Sequence, residues 1–137
     1  MRFFFDRNLS YLIAKAFAPI LDRQGIATDW SQQKYPTDPG DVVWLADLSK
    51  EGDWSVITGD FNIFLNPTMK AEWLKSSVTT FFLRPSFNKH GFDEMHWRLA
   101  KRLPEIVKLA KSRPKGTGFD IHYQINSPIS ELYSPTK

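Results

Sequence analysis

The chain opens on three aromatic residues, Phe3-Phe4-Phe5, and the run ends at Asp6. A continuous apolar run of this kind suits a strand covered on both faces. The period then changes: Leu9, Leu12, Ile13, Ala16, Phe17, Ile20 and Leu21 form one stripe of an amphipathic helix. Ser10 or Asn8 is its candidate N-cap, and Gly25 its stop. Ile26-Ala27-Thr28 reads as a second strand, and residues 31–40, SQQKYPTDPG, as a polar loop. A short helix is expected over Asp41–Lys50, with Val42, Val43, Leu45, Ala46 and Leu48 available for packing and Gly52 ending it. Trp54–Thr58 reads as a strand broken at Gly59-Asp60, and Thr68–Ser76 as a helix entered after Pro67. Val78–Leu83, rich in β-branched and aromatic residues, reads as a fourth strand.

A longer amphipathic helix is predicted from about Phe92 to Lys111. Met95, Leu99, Leu103, Ile106, Val107 and Ala110 lie on one side, while Arg98, Lys101, Arg102, Lys108 and Lys111 fall outside that stripe. Pro104 predicts a bend or a restart, because an interior proline costs about 3 kcal/mol. Phe119–Ile125 alternates as a last strand, and a Ser/Pro-bearing tail follows, expected to be loosely ordered. Strands separated by helices predict an α/β sandwich with a mostly parallel sheet. Residues 1–126 are expected to form that domain and 127–137 the tail. No internal repeat or low-complexity tract interrupts the pattern.

Composition narrows the chemistry. The 137 residues are 42% hydrophobic and 24% charged, an ordinary globular balance for one core. There is no cysteine, which excludes disulfides, thiolate metal sites and a cysteine nucleophile. No segment approaches the roughly 18 apolar residues of a membrane span, and MRFFFDRN lacks the form of a secretory leader. The expectation is a soluble cytoplasmic protein. The net charge of +3 hides a division between an acidic front (residues 1–69) and a basic back (residues 70–137). That division suggests a cation-binding centre beside a polyanion-binding flank. Solvated faces of unlike charge are the plainer account from composition alone.

Three carboxylates stand at the ends of predicted elements: Asp6 closes the first strand, Asp60 follows the third, and Asp41 heads the helix between them. In an open parallel sheet the carboxyl ends of the strands share one edge, where sites form. Singly, Asp6 could cap a helix, Asp60 shape a turn and Asp41 meet a helix dipole. Together they would repel unless a cation or protons compensate. Magnesium or manganese suits such oxygen ligands, and Asn62 could add a neutral oxygen. His90, His96 and His122 lack the spacing of a zinc site. No Gly-rich phosphate loop, G-x-S-x-G elbow or dinucleotide fingerprint is present. Trp44 and Trp73 read as core residues, with stacking on a base as the less common role.

The segments FFFDRNLS, DPGDVVW and VITGDFNI, in this order and spacing, resemble PIN-like domains related to VapC-type toxin ribonucleases. The resemblance covers about residues 3–85 and implies a PIN-like three-layer sandwich: a mostly parallel central sheet flanked by helices. It implies that Asp6, Asp41 and Asp60 are the metal-ligating acids. Asn62 falls in a weaker fourth position, where many relatives carry an acid. Thr58 matches a threonine that orients neighbouring acids, and Asn8 the polar residue after the first acid. Asp38 lies close to Asp41, but Trp44 follows Asp41 as in the relatives, which favours Asp41.

The implied activity is a Mg²⁺- or Mn²⁺-dependent endoribonuclease that leaves a 5′-phosphate and a 3′-hydroxyl. The implied partners are an RNA substrate, a cognate antitoxin and a second copy in a homodimer. Arg98, Lys101, Arg102, Lys108 and Lys111 would then touch the RNA backbone, positioning it without reading sequence. Lys70, Lys75 and Arg84 lie nearer the proposed site in sequence. Asn62 in place of an acid leaves a second reading open: a catalytically weak PIN-like module that binds nucleic acid or a protein partner.

Overall fold

The three phenylalanines that open the chain are buried on alternate faces of one sheet, in a computed structural model that describes residues 1–135. They lie in strand β1 (Arg2–Phe5). The other strands are β2 (Ala27–Trp30), β3 (Trp54–Thr58), β4 (Thr79–Leu83), β5 (Gly118–Ile121) and β6 (Ser130–Tyr133). The sheet runs in the order β2-β1-β3-β4-β5-β6. Neighbours from β2 to β5 pair in parallel, and β6 joins β5 antiparallel. The helices are α1 (Tyr11–Asp22), α2 (Ser31–Lys34), α3 (Asp41–Glu51), α4 (Asn62–Leu65), α5 (Pro67–Ser76) and α6 (Phe92–Ser112), with a 3₁₀ turn over Pro85–Lys89.

Side-chain alternation along the strands divides the core into two layers. Phe3 and Phe5 face α1 and α6, joining Ile13, Phe17, Leu99, Leu103 and Ile106. Phe4 faces α3, α4 and α5, joining Trp44, Leu48, Ile63 and Trp73. This is the α/β sandwich with a mostly parallel sheet that the pattern predicts, in the three layers that the resemblance implies. Trp44 and Trp73 are core residues, each 1% exposed. Ser10 caps α1 by accepting from the Leu12 N–H, and Gly52 closes α3 at φ +80°, a backbone region that glycine tolerates best.

Four local expectations need correction. Pro104 does not restart the long helix, for α6 is continuous through it. Pro104 and Pro19 of α1 both sit on the solvent face, where the carbonyl left without its amide can be hydrated, and buried residues on either side fix the axis. The second strand lies slightly later than expected, at Ala27–Trp30. Within the supposed loop, Ser31–Lys34 forms a helical turn. Finally, Ser130–Tyr133 of the supposed loose tail is strand β6, and the Tyr133 ring meets Trp73 edge-on at 5.8 Å. Residues 136 and 137 of that tail lie outside the described residues.

Trp73 also sets a tight constraint on β5. A Cβ placed on Gly118 would stand 2.6 Å from the Trp73 ring, and that ring is held by a hydrogen bond from its Nε1 to Thr80 Oγ1 at 2.8 Å. Gly118→Ala is therefore expected to destabilise the fold by about 1–3 kcal/mol through overpacking. Urea unfolding checks this, and an unchanged midpoint would refute it.

Candidate active site

The carboxyl edge of β1 and β3 brings the predicted residues together. Phe5 pairs with Ile57, so Asp6 follows β1 beside Thr58, the last residue of β3. Thr58 is fully buried and makes two hydrogen bonds: its Oγ1 donates to Asp6 Oδ2 at 2.8 Å and accepts from the Asp60 N–H at 3.0 Å. Asp6 Oδ1 accepts from the Arg7 N–H at 2.6 Å. Asn8 Oδ1 accepts from the Gly59 N–H, and Asn88 Nδ2 donates to the Gly59 carbonyl at 3.1 Å. Gly59, the residue before Asp60, is thus held at both its N–H and its carbonyl, and a Cβ on it would crowd Asn88 at 3.0 Å.

Asp41 is the first residue of α3, and its Oδ1 accepts from Trp44 Nε1 at 2.8 Å. Asp38 is exposed and turns to the Gly40 N–H. The Asn62 backbone N–H donates to Asp60 Oδ1 at 3.1 Å, and Asn62 itself is exposed.

Charge is concentrated here without a counter-charge. Burial pushes the Asp6 carboxyl up to about 6; Thr58 and the Arg7 N–H oppose this, while the charges of Asp41 and Asp60 add to it. Asp41 is also raised, first by burial and then by the charges of Asp60 and Asp38, against the opposing Trp44 bond. Among the described residues no Lys, Arg or His pairs with any of the three acids.

Among the described residues, no group of three or more His, Cys, Asp or Glu side chains is arranged to hold a metal ion. Asp6, Asp41 and Asp60 therefore do not form a closed ligand set as they stand. Asp41 and Asp60 are close enough that the charge of Asp60 raises the Asp41 carboxyl, and the charges of both raise Asp6. The donor chemistry nonetheless fits a hard divalent cation: oxygen donors and excess negative charge, with no cationic side chain paired to them among the described residues. Magnesium needs only one or two direct carboxylates, with waters completing its shell.

In an open parallel α/β sheet, ligands bind outside the carboxyl ends of the strands, the edge at which these acids stand. A family model described as a PIN-like domain matches residues 1–85, and the chain belongs to the PIN-like domain family. No curated protein and no solved structure matches it.

The basic residues expected at RNA do not form one surface. Arg102 is only 5% exposed, and its Nη2 donates to the Gln124 and Ser127 carbonyls; it fastens α6 to the loop after β5 and is not presented to a polyanion. Arg98 does similar work, donating to the Tyr123 carbonyl at 3.0 Å, pairing with Glu94 and lying over the Tyr123 ring. Lys101, Lys108 and Lys111 are exposed. Because α6 links the parallel strands β4 and β5, it runs back from the carboxyl edge. At about 1.5 Å per residue this carries Lys108 and Lys111 toward the opposite edge from the acids.

Other residues at this edge carried a weaker sequence signal. Asn88 has no motif around it. The sequence sets Arg84, with Lys70 and Lys75, nearer the proposed site, but does not show that it forms a two-pronged ion pair with the buried Asp120.

Because the folded protein holds the Asp6 proton more tightly than the unfolded chain, this group stabilises the fold at low pH. That stability is lost as pH rises through about 6. In EDTA, Asp6→Asn is expected to raise the melting temperature at pH 7.5 by roughly 5 °C, with the gap to the parent protein closing as pH falls toward 5. A gap that is absent at pH 7.5 or independent of pH would refute the assignment.

Proposed function

We propose that the protein is a divalent-cation-dependent endoribonuclease of the PIN-like type, acting as the toxin of a toxin–antitoxin pair. The observation that carries this reading is the joining of Asp6 to the Asp60 backbone through the Thr58 hydroxyl at one sheet edge, with Asp41 near enough to act on Asp6 by its charge and, among the described residues, no cationic side chain paired to the three acids. Membership of the PIN-like family, whose members are generally nucleases, supports the same class of chemistry. Among the described residues no helix is long and apolar enough to cross a membrane.

Asp6 and Asp60 would hold Mg²⁺ or Mn²⁺, with Asp41 completing the set or orienting the attacking water. When bound, such a cation supplies Lewis acidity, offsetting charge on the scissile phosphate and acidifying a water. The chain's own residues provide the positioning. Thr58 fixes the Asp6 carboxylate and the Asp60 backbone with one hydroxyl. Asn8 and Asn88 hold Gly59 at its N–H and its carbonyl, and Trp44 orients one Asp41 oxygen, leaving the other available. Asn62, where many relatives carry an acid, would add no negative charge, so that a single cation is the simplest match to the three acids. Lys101 offers an exposed contact for the RNA backbone on α6. An antitoxin would cover this edge, and a second copy of the chain would form the homodimer usual in the family.

Cleavage of mixed RNA should appear with Mn²⁺ and vanish with EDTA, and Asp6→Asn or Asp60→Asn should each lower it at least about 100-fold. Metal-dependent cleavage persisting in both variants would sink the assignment, since a contaminating nuclease would then be the simpler source. No cleavage, with RNA binding retained, would favour a non-catalytic binding module. Thr58→Val removes a bond that lowers the Asp6 carboxyl. The acidic limb of the rate profile should then move to higher pH, and a profile that stays in place would deny Thr58 this role. Growth arrest on expression, relieved by the product of a neighbouring reading frame, tests the antitoxin pairing.

A further inference from the structure

The strand next to β3 ends in a cation. Two residues beyond the paired Thr58 and Phe82 stand Asp60 on one chain segment and Arg84 on the other. Arg84 is gripped from two directions. Its Nε and Nη2 donate to Asp120 Oδ1 and Oδ2 at 2.7 and 2.5 Å. Its guanidinium carbon lies 4.7 Å from the ring centre of Phe61, the residue directly after Asp60. The Asp120 side chain is 3% exposed and that of Arg84 39%, so the anion is buried and the cation turned outward. Asp120 Oδ2 also faces His122 Nε2 at 3.4 Å. Arg84 and His122 line an open cleft of about 500 Å³ together with Pro85, Ser86, Tyr123 and Gln124.

A bond meant only to tie β4 to β5 needs neither an exposed guanidinium nor a cleft around it. Asp120 engages Nε and Nη2, and the remaining N–H donors have no acceptor among the described residues. A planar fork whose orientation is fixed by a buried carboxylate is well matched to phosphate oxygens. There is also an electrostatic need. Three acids at one edge repel a polyanion, and Lys108 and Lys111 lie toward the other edge. Arg84 is the cation that the fold sets on the strand beside Asp60.

We propose that the Arg84–Asp120–His122 cleft is a phosphate subsite, binding a phosphate of a single-stranded nucleic acid near the one that lies at the acid cluster. Its place on a substrate path rests on the nuclease reading above. The phosphate belongs either to a backbone diester or to a terminal monoester, and the chemistry of recognition is shared.

The full chain in EDTA, titrated into a short single-stranded RNA labelled at its 3′ end and carrying either a 5′-phosphate or a 5′-hydroxyl, tests this by fluorescence anisotropy. Arg84→Gln is expected to weaken binding about tenfold and to flatten the log–log salt dependence by about 0.7. An equal loss for both RNAs assigns a backbone diester, and a loss confined to the phosphorylated RNA assigns a terminal monoester. Ser86→Glu leaves the Arg84–Asp120 pair in place and should weaken binding similarly, so the test survives if Arg84→Gln does not fold. Parental affinity and salt slope in a folded Arg84→Gln, or in Ser86→Glu where the former misfolds, overturn the subsite. If Asp6→Asn abolishes cleavage while both cleft variants bind RNA like the parent, the subsite fails and the nuclease reading stands. Arg84-dependent binding without Mn²⁺-dependent cleavage gives the reverse.

Discussion

One hydroxyl group couples the two central strands at the end where chemistry is proposed. Thr58 gives its proton to the Asp6 carboxylate and takes one from the Asp60 backbone. This arrangement is possible only because β1 and β3 are parallel neighbours whose register sets Phe5 against Ile57. Antiparallel pairing would send Asp6 and Asp60 to opposite edges. The bond also makes burial of Asp6 tolerable, since a carboxylate removed from water needs partners for its oxygens. The position of the acids, their mutual repulsion and their appetite for a cation all descend from this junction.

The aromatic core stands against that repulsion. Phe3, Phe4 and Phe5 fill both layers immediately before Asp6, and Phe81 and Phe82 do the same one strand beyond β3. Each buried ring contributes about 1.5–3 kcal/mol by removal from water, which is of the size needed to offset an unfavourably placed charge. Concentrated burial beside a costly polar edge is a familiar relation between stability and function: the site is held in place by residues that take no part in it.

Asp6, Asp60 and Asp41 were legible in sequence because they stand at the ends of predicted elements, whereas Thr58, and Asp41 rather than Asp38, were marked only by the resemblance to PIN-like domains. The surroundings were harder to read. A helical wheel sets Arg98 and Arg102 outside the apolar stripe of α6, yet Arg102 is buried with that stripe, and no wheel shows that both guanidinium groups reach back to carbonyls of residues 123–127. Asp120 looks like one polar position in an alternating strand until β4 and β5 are known to be neighbours. Strand β6 was hidden by the Ser and Pro residues around it, and its order derives from contacts that form only in the folded sheet, such as Tyr133 on Trp73. Local pattern marks the ends of elements well and marks poorly what long side chains do across them.

The strand order has a consequence for how the molecule is made. Once β1 and β2 have paired, each later strand adds to the same growing side of the sheet, in the order in which the ribosome releases it. Every acid of the cluster lies within the first 60 residues, whereas Asp120, which aligns Arg84, emerges much later. A nascent chain can therefore assemble its acidic centre while the arginine beside it is still unanchored, and the two acquire their final geometry at different moments of synthesis.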